Sequence, residues 1–145
     1  MENKQVLKPP FWFWIISILA FLWNLVGAGN YLAQEMMTDE AKTLLTSQQL
    51  KLIEETPTWL TVVFAIAVSS GVIASIGLLG RKKWAKRLFL VSLLAVILQM
   101  SYATMATKTV EVYGIAALIM AIVITVVATL LYYFATYAIN KKWLH

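Results

Sequence analysis

Uncharged apolar runs divide the chain into four long segments. Each run holds 20 or more residues without a single charged side chain, and the runs are residues 9–34, 56–80, 88–107 and 112–140. A helix needs about 20 mostly apolar residues to cross a bilayer. We therefore predict an all-α membrane protein, a single four-helix bundle over residues 1–145, with spans at 11–33, 58–80, 86–107 and 112–138.

The edges of these runs carry the residues that favour a membrane boundary. Pro9 and Pro10 precede the first span and suit a helix start. Trp and Tyr side chains prefer the headgroup region, and they stand here at Trp12, Trp14, Trp59, Trp84, Tyr137 and Trp143. The small residues of Val26–Gly29 would also suit the cleavage site of a signal peptide. Because the apolar run before them exceeds the usual 7–15 residues, we favour a retained helix.

The distribution of cations predicts the orientation. Lys and Arg near span ends tend to remain in the cytoplasm. With both termini inside, the inner segments hold Lys4, Lys8, Arg81, Lys82, Lys83, Lys86, Arg87, Lys141 and Lys142, and the outer loops hold Lys42, Lys51 and Lys108. We therefore predict a multi-pass protein with both termini in the cytoplasm.

The turn "RKKWAKR" contributes five of the inner cations: Arg81, Lys82, Lys83, Lys86 and Arg87. The simplest interpretation of this cluster is an anchor that fixes the topology. The functional alternative is binding of anionic lipid headgroups, so that membrane lipids are the predicted partners.

The first outer loop, residues 34–57, is long enough to hold structure of its own. Thr38 is a candidate N-cap, and the acids at Asp39 and Glu40 suit the first turn of a helix. A second helix would start at Ser47 and end before Pro57. We predict short surface helices that cap the bundle; the alternative is a lid or a docking surface for a partner.

Polar residues collect on one face of each span. At about 100° per residue, Asn24, Ala28, Tyr31 and Glu35 share a stripe of the first span. The second span aligns small residues from Ala67 to Gly77. Gln99 lies among small residues of the third span, and Thr125 and Tyr132 lie on one face of the fourth span. The candidate solute-binding or interhelical polar site is Asn24, Tyr31, Gln99, Thr125 and Tyr132.

Asn24 and Gln99 form the deepest pair of amides. Each lies about 20 Å along its span at 1.5 Å per residue, within the hydrocarbon, whereas Asn30 and Gln34 lie near the outer boundary where water satisfies them. A carboxamide in hydrocarbon is costly unless it is paired. Two interpretations stay open: the amides bond helices together, perhaps to each other, or they line a site for a polar solute or water.

Composition narrows the chemistry. Of 145 residues, 61% are hydrophobic and 13% charged, there is no Cys, and the only His is His145. No acid or base lies deep in a span, so we predict no metal site, no cofactor and no enzymatic activity. The net charge of +5 reflects membrane topology, and we predict no nucleic-acid partner.

Several segments resemble a known family. "KPPFWFWIISILAFLWNLVGAGNYLAQEMM", "ETPTWLTVVFAIAV", "RKKWAKRLFLVSLL" and "EVYG" resemble small bacterial four-span inner-membrane proteins that often carry the label "sugar transporter". The positions that carry the resemblance are Pro9, Pro10, Trp23, Asn24, Gly27, Tyr31, Gln34, Pro57, Trp59, Trp84, Glu111, Tyr113 and Gly114. The resemblance implies this fold, the bacterial inner membrane and transport. Size and span count also suit a DoxX-like protein.

Two functions follow as hypotheses. The first is a facilitator of a small polar, sugar-like solute that acts as a homo-oligomer, since four helices enclose little volume. The second is an accessory or scaffolding subunit bound to a membrane-protein partner, since the spans have close-packing faces and lack an ionisable core.

Overall fold

The computed structural model describes residues 6–106 and 108–145. Two residues named in the predictions lie outside these ranges. They are Lys4, one of the inner cations, and Thr107, the last residue of the third predicted span. Seven helices are present in the described residues: α1 Phe11–Glu35, α2 Asp39–Lys42, α3 Ser47–Glu55, α4 Thr58–Leu79, α5 Ala85–Met105, α6 Thr109–Tyr113 and α7 Ile115–Asn140. The predicted all-α fold class is confirmed.

Four of these helices, α1, α4, α5 and α7, are long and apolar enough to cross a membrane. The chain is therefore an integral, multi-pass membrane protein. Residues 6–10, the α4–α5 turn and residues 141–145 meet at one end of the bundle, here called the terminal end. The short helices α2, α3 and α6 lie at the opposite end, the loop end.

The fourth span begins later than the apolar run predicts. Gly114 adopts a φ of 78° and separates α6 from α7, so the span starts at Ile115 rather than at residue 112. Hydropathy does not register this break, because a glycine in the left-handed region interrupts a helix without adding a charge.

The loop between α1 and α4, predicted to lie outside, contains the two predicted short helices. The hydroxyl of Thr38 accepts a hydrogen bond from the Ala41 amide at 3.2 Å and caps α2. Thr46, one residue before the predicted start, caps α3 in a reciprocal pairing with Gln49. Each cap satisfies backbone donors that a short helix would otherwise leave free.

Small side chains set how closely the spans approach. The main packing pairs are α1 with α4, α4 with α5, and α5 with α7. The buried face of α4 is built mainly from small residues: Ala67, Ser70, Gly71, Ala74, Ser75 and Gly77. Such residues let helices approach closely in lipid, and they confirm the small face predicted for the second span.

The tightest packing lies at the terminal end. Phe13, Leu78, Phe89 and Leu144 are almost fully buried there, and Trp143 is 7% exposed. The rings of Trp12 and Trp143 meet edge to face at 5.2 Å, and Phe13 stacks on Phe134 of α7 at 5.7 Å. The C-terminal segment thus folds back against the core, and the interfacial position suggested for Trp143 stays a prediction.

Arg81 joins three segments at this end. Its Nε donates to the Trp143 carbonyl at 2.9 Å and its Nη2 to the Leu7 carbonyl at 2.7 Å. The His145 amide donates to the Arg81 carbonyl at 2.9 Å, and the Leu7 amide donates to the Lys142 carbonyl at 2.8 Å. One cation of the predicted anchor cluster therefore has a structural role that its position in the sequence does not reveal.

The other cations of the cluster remain nearer the surface. Lys82, Lys83 and Arg87 are exposed, and the Lys86 ammonium lies 5.8 Å from the centre of the Tyr132 ring. Their assignment as topology anchors or headgroup ligands stays a prediction.

Replacing Arg81 should therefore cost more stability than replacing another cation of the same turn. Arg81→Gln removes two charge-assisted bonds, and hydrogen bonds to charged groups contribute about 1.5–3 kcal/mol each. Because one bond is exposed, we expect a total loss of about 1–3 kcal/mol in the free energy of unfolding, measured by SDS titration in mixed micelles. Arg87→Gln, which makes the same charge change, is the control; an equal loss there would contradict the role assigned to Arg81.

Candidate functional site

A cavity lies between the four spans and extends from Phe89 and Leu131 toward the loop end, as far as Asn30 and Met100. Its volume is about 260 Å³, and every span contributes to its wall. Four polar side chains line it: Asn24 and Asn30 of α1, and Ser92 and Gln99 of α5. We call it the amide cavity. Most of the remaining wall is apolar and includes Phe64, Phe89, Val96, Ile124 and Leu131.

Asn24 joins α1 to α4. Its Nδ2 donates to the Ala20 carbonyl at 2.8 Å and to the Ser75 Oγ at 3.0 Å. The Ser75 hydroxyl in turn donates to the Gly71 carbonyl at 2.8 Å. The amide nitrogen is thereby satisfied within hydrocarbon depth, and an interhelical bond of this kind contributes about 0.6 kcal/mol on average.

Gly71 makes room for this amide. A Cβ at residue 71 would overlap the Oδ1 of Asn24 and lie 3.0 Å from its Cγ. It would also come within 3.3 Å of the Ser92 Oγ, and Ser92 itself bonds the Ala67 carbonyl at 2.8 Å across the α4–α5 seam. A side chain at residue 71 would therefore disturb both seams of α4.

Gln99 shares the cavity with Asn24 but is not its partner across the seam. The described hydrogen bonds of Asn24 use its nitrogen and reach Ala20 and Ser75. Of the two options left open for these amides, bonding between helices is what Asn24 shows, and its partner across the seam is Ser75 of α4 rather than Gln99 of α5. Both residues nevertheless line the same cavity, with Gln99 nearer the loop end than Asn24.

Asn30 has a second position that the prediction did not include. The sequence placed it near the outer boundary, and it is exposed in the last two turns of α1. It also lines the amide cavity two turns beyond Trp23, on the same wall as Asn24 and Gly27. Residues 23, 27 and 30 follow the i, i+4, i+7 spacing of one helix face, so helical periodicity was the signal available for this assignment.

The other three candidate residues lie outside the amide cavity. The Tyr31 ring packs on Phe64 of α4 at 5.3 Å. Thr125 donates to the Ala121 carbonyl in its own helix at 2.8 Å and lines a shallow groove between α5 and α7. Tyr132 lies beside Lys86 at the terminal end. The structure therefore brings together only Asn24 and Gln99 of the five.

The cavity offers hydrogen bonds without charge. None of its lining residues is acidic or basic. Within residues 6–106 and 108–145, no group of three or more His, Cys, Asp or Glu residues could hold a metal ion. The chemistry available at this site is the pairing of neutral amides and a hydroxyl with a neutral molecule, against an apolar wall.

Comparison of the chain with protein-family models, with curated proteins and with solved structures finds no match. The resemblance to small four-span inner-membrane proteins stays a prediction. The functional argument therefore depends on the geometry of the cavity.

Adding a methyl group at residue 71 tests this geometry. Gly71→Ala should destabilise the protein by about 1–3 kcal/mol, as overpacking of a close seam does, although alanine favours a helix. Gly29→Ala in α1 is the matched control, since a Cβ there meets nothing within 4 Å, and it should be neutral or stabilising by up to about 1 kcal/mol. SDS titration measures both.

A second substitution identifies the cause of that effect. In the double variant Gly71→Ala with Asn24→Ala, the new methyl group enters space that the amide has left. The loss of stability should then be smaller than the sum of the two single losses. Simple additivity would show that Gly71 acts on something other than Asn24.

Proposed function

We propose that this integral membrane protein binds a small uncharged molecule in the amide cavity. The observation that carries the proposal is the convergence of Asn24, Asn30 and Gln99 on one cavity with otherwise mainly apolar walls. Ligand sites are commonly apolar concavities with a few polar groups that fix orientation. Such a role requires neither catalysis nor a cofactor.

The difference between the two ends of the bundle favours ligand binding over a continuous path for a solute through the protein. Phe89 closes the cavity toward the terminal end and belongs to the core that includes Phe13, Trp143 and Leu144. A path through one bundle would have to open the best-packed part of the protein. A site that fills and empties from the membrane or from the loop end needs no such opening.

The proposed setting is the bacterial inner membrane with both termini in the cytoplasm. What supports the orientation is the concentration of cations at the terminal end, which includes the exposed Lys82, Lys83 and Arg87. In this orientation the amide cavity extends from the middle of the bundle toward the outer face of the bilayer. The proposed role as an accessory subunit of a membrane complex is compatible with ligand binding, and so is a homo-oligomer.

A photoreactive benzyl alcohol carrying a diazirine tests for binding. An apolar cavity of about 150 Å³ holds benzene, so a ring with one hydroxyl fits the larger amide cavity. We expect saturable cross-links to Phe89, Val96 or Ile124 in purified protein. Ala128→Phe, which fills the cavity wall, should abolish them.

The matched control is Ala116→Phe, an exposed position on the same helix outside the cavity. It should label as the unaltered protein does. Labelling that does not saturate, or that persists unchanged in Ala128→Phe, would refute the binding proposal. Circular dichroism and SDS titration confirm that both variants fold.

Facilitation of a sugar-like solute is the second candidate, and the three amides are the observation that favours it. Liposomes loaded with glucose separate the two functions. The closed terminal end leads us to expect no efflux above that of protein-free liposomes. Efflux that Ala128→Phe abolishes and Ala116→Phe preserves would instead support the facilitator.

A further inference from the structure

The amide cavity reaches the surface of the protein on one side. Its lining residues on α4 and α5 are buried or half-buried. The exposed ones belong to α1 and α7: Asn30 is exposed, Trp23 is 37% exposed, Val26 63% and Met120 53%. Since α1 packs on α4 and α7 packs on α5, the opening lies between α1 and α7. We call the gap flanked by Val26 and Met120 the portal.

The portal faces the hydrocarbon of the bilayer. Val26 lies about 14 Å from the loop end of α1 and Met120 about 8 Å from the loop end of α7, at 1.5 Å per residue. Both positions are inside charge-free apolar spans. A molecule that uses this portal must be soluble in lipid.

The lining changes in character with depth. Asn30 and Gln99 lie nearest the loop end, Asn24 and Ser92 lie deeper, and Phe89 with Leu131 forms the apolar floor. None of these groups is charged, so an ionised ligand would have no counterion. The lining therefore fits a molecule with a neutral polar group and an apolar body.

We infer that the ligand is an uncharged single-chain amphiphile that enters from the bilayer through the portal. Both N–H groups of Asn24 already donate to Ala20 and Ser75, so the hydroxyl of the ligand donates to the Asn24 Oδ1 and its oxygen accepts from the Gln99 amide. Its first carbons lie against Val96, Ile124 and Leu131, and the rest of its chain extends through the portal into lipid. This inference rests on the proposed binding function and names the ligand class for the same site.

The size of the cavity agrees with this arrangement. About 260 Å³ exceeds the roughly 150 Å³ that holds benzene, but it is smaller than the 300–1,000 Å³ of typical drug-sized sites. A whole lipid does not fit inside. The head group and a short part of the chain do, provided that the remainder has an apolar exit.

Photolabelling in phosphatidylcholine vesicles tests the ligand class. The probe is hexadecanol with a diazirine next to the hydroxyl-bearing carbon, and peptide mass spectrometry locates the cross-links. We expect labels on the cavity residues Val96 and Ile124. Unlabelled hexadecanol should compete for the site, whereas glucose should not.

Two variants of α1 test the portal. Val26→Trp narrows it and should reduce cavity labelling by the hexadecanol probe. Leu22→Trp adds the same side chain one turn away, at a residue that is 51% exposed and outside the cavity, and should leave cavity labelling unchanged.

A third variant tests the hydrogen bond. Asn24→Leu keeps the approximate shape and removes the polar group, so cavity labelling by hexadecanol should weaken by up to about tenfold. Labelling by a hexadecane probe without the hydroxyl should not fall. Equal losses for both probes would show that Asn24 acts only through packing.

The outcomes distinguish the inferred ligand class from the proposed binding function on which it rests. If the benzyl alcohol probe labels the cavity but hexadecanol does not, or if Val26→Trp has no effect, the ligand class is wrong and binding stands. If neither probe labels the cavity, both are wrong. If cross-linking shows a second copy of the chain seated on Val26 and Met120, the portal is an oligomer interface and the inference fails.

Discussion

Close approach of α4 to its two neighbours is the constraint on which the rest of the structure depends. Apolar side chains gain nothing by leaving lipid for one another, so spans associate through packing and hydrogen bonds. The small face of α4 supplies both. Gly71 admits the Asn24 amide from α1, Ser75 bonds it, and the Ala67 carbonyl accepts a bond from Ser92 of α5. A larger residue on this face would separate the seams and remove the partners of the polar groups.

This arrangement also explains why a cavity exists. The packing pairs run from α1 to α4, α5 and α7 in turn, which leaves α1 and α7 as the two edges of the bundle. At the terminal end the edges are closed by rings, with Phe13 on Phe134 and Trp12 on Trp143, and by the backbone bonds of Arg81. Toward the loop end the cavity lining on these edges is exposed, so the same chain is closed at one end and open to lipid on one side.

The fold could largely be predicted from the sequence, because the bilayer imposes a simple requirement on every span. A span must be long, apolar and uncharged, and three of the four began within one residue of their predicted start. Gly114 broke the fourth because a backbone angle leaves no trace in hydropathy. The role of Arg81 was hidden for a related reason: an arginine at a span end satisfies the topology rule whether it contacts headgroups or two carbonyls of its own chain.

The site was harder to predict, because the polar face of a helix does not identify the helix that packs against it. Helical periodicity placed Asn24 and Gln99 toward the interior at one depth, and both line the cavity. It could not state that α4 lies beside α1, so Ser75 was missed as the partner of Asn24. Tyr31, Thr125 and Tyr132 lie on suitable faces, yet they lie at other seams or at another depth. Which spans lie next to each other, and how far each is shifted along its axis, depend on packing. A single sequence does not give this information.

The two interpretations of Asn24 are compatible, and their combination has a physical consequence. The nitrogen of this amide holds the α1–α4 seam, while the same side chain forms part of the cavity wall. Because a neutral amide has both donors and an acceptor, it can serve the seam and a ligand at once, which a serine hydroxyl committed to a backbone carbonyl does less readily. The position of α1, and hence the width of the portal that α1 borders, is then tied to the group that recognises the ligand. A ligand that bonds Asn24 would thus act on the edge of the bundle through which it entered.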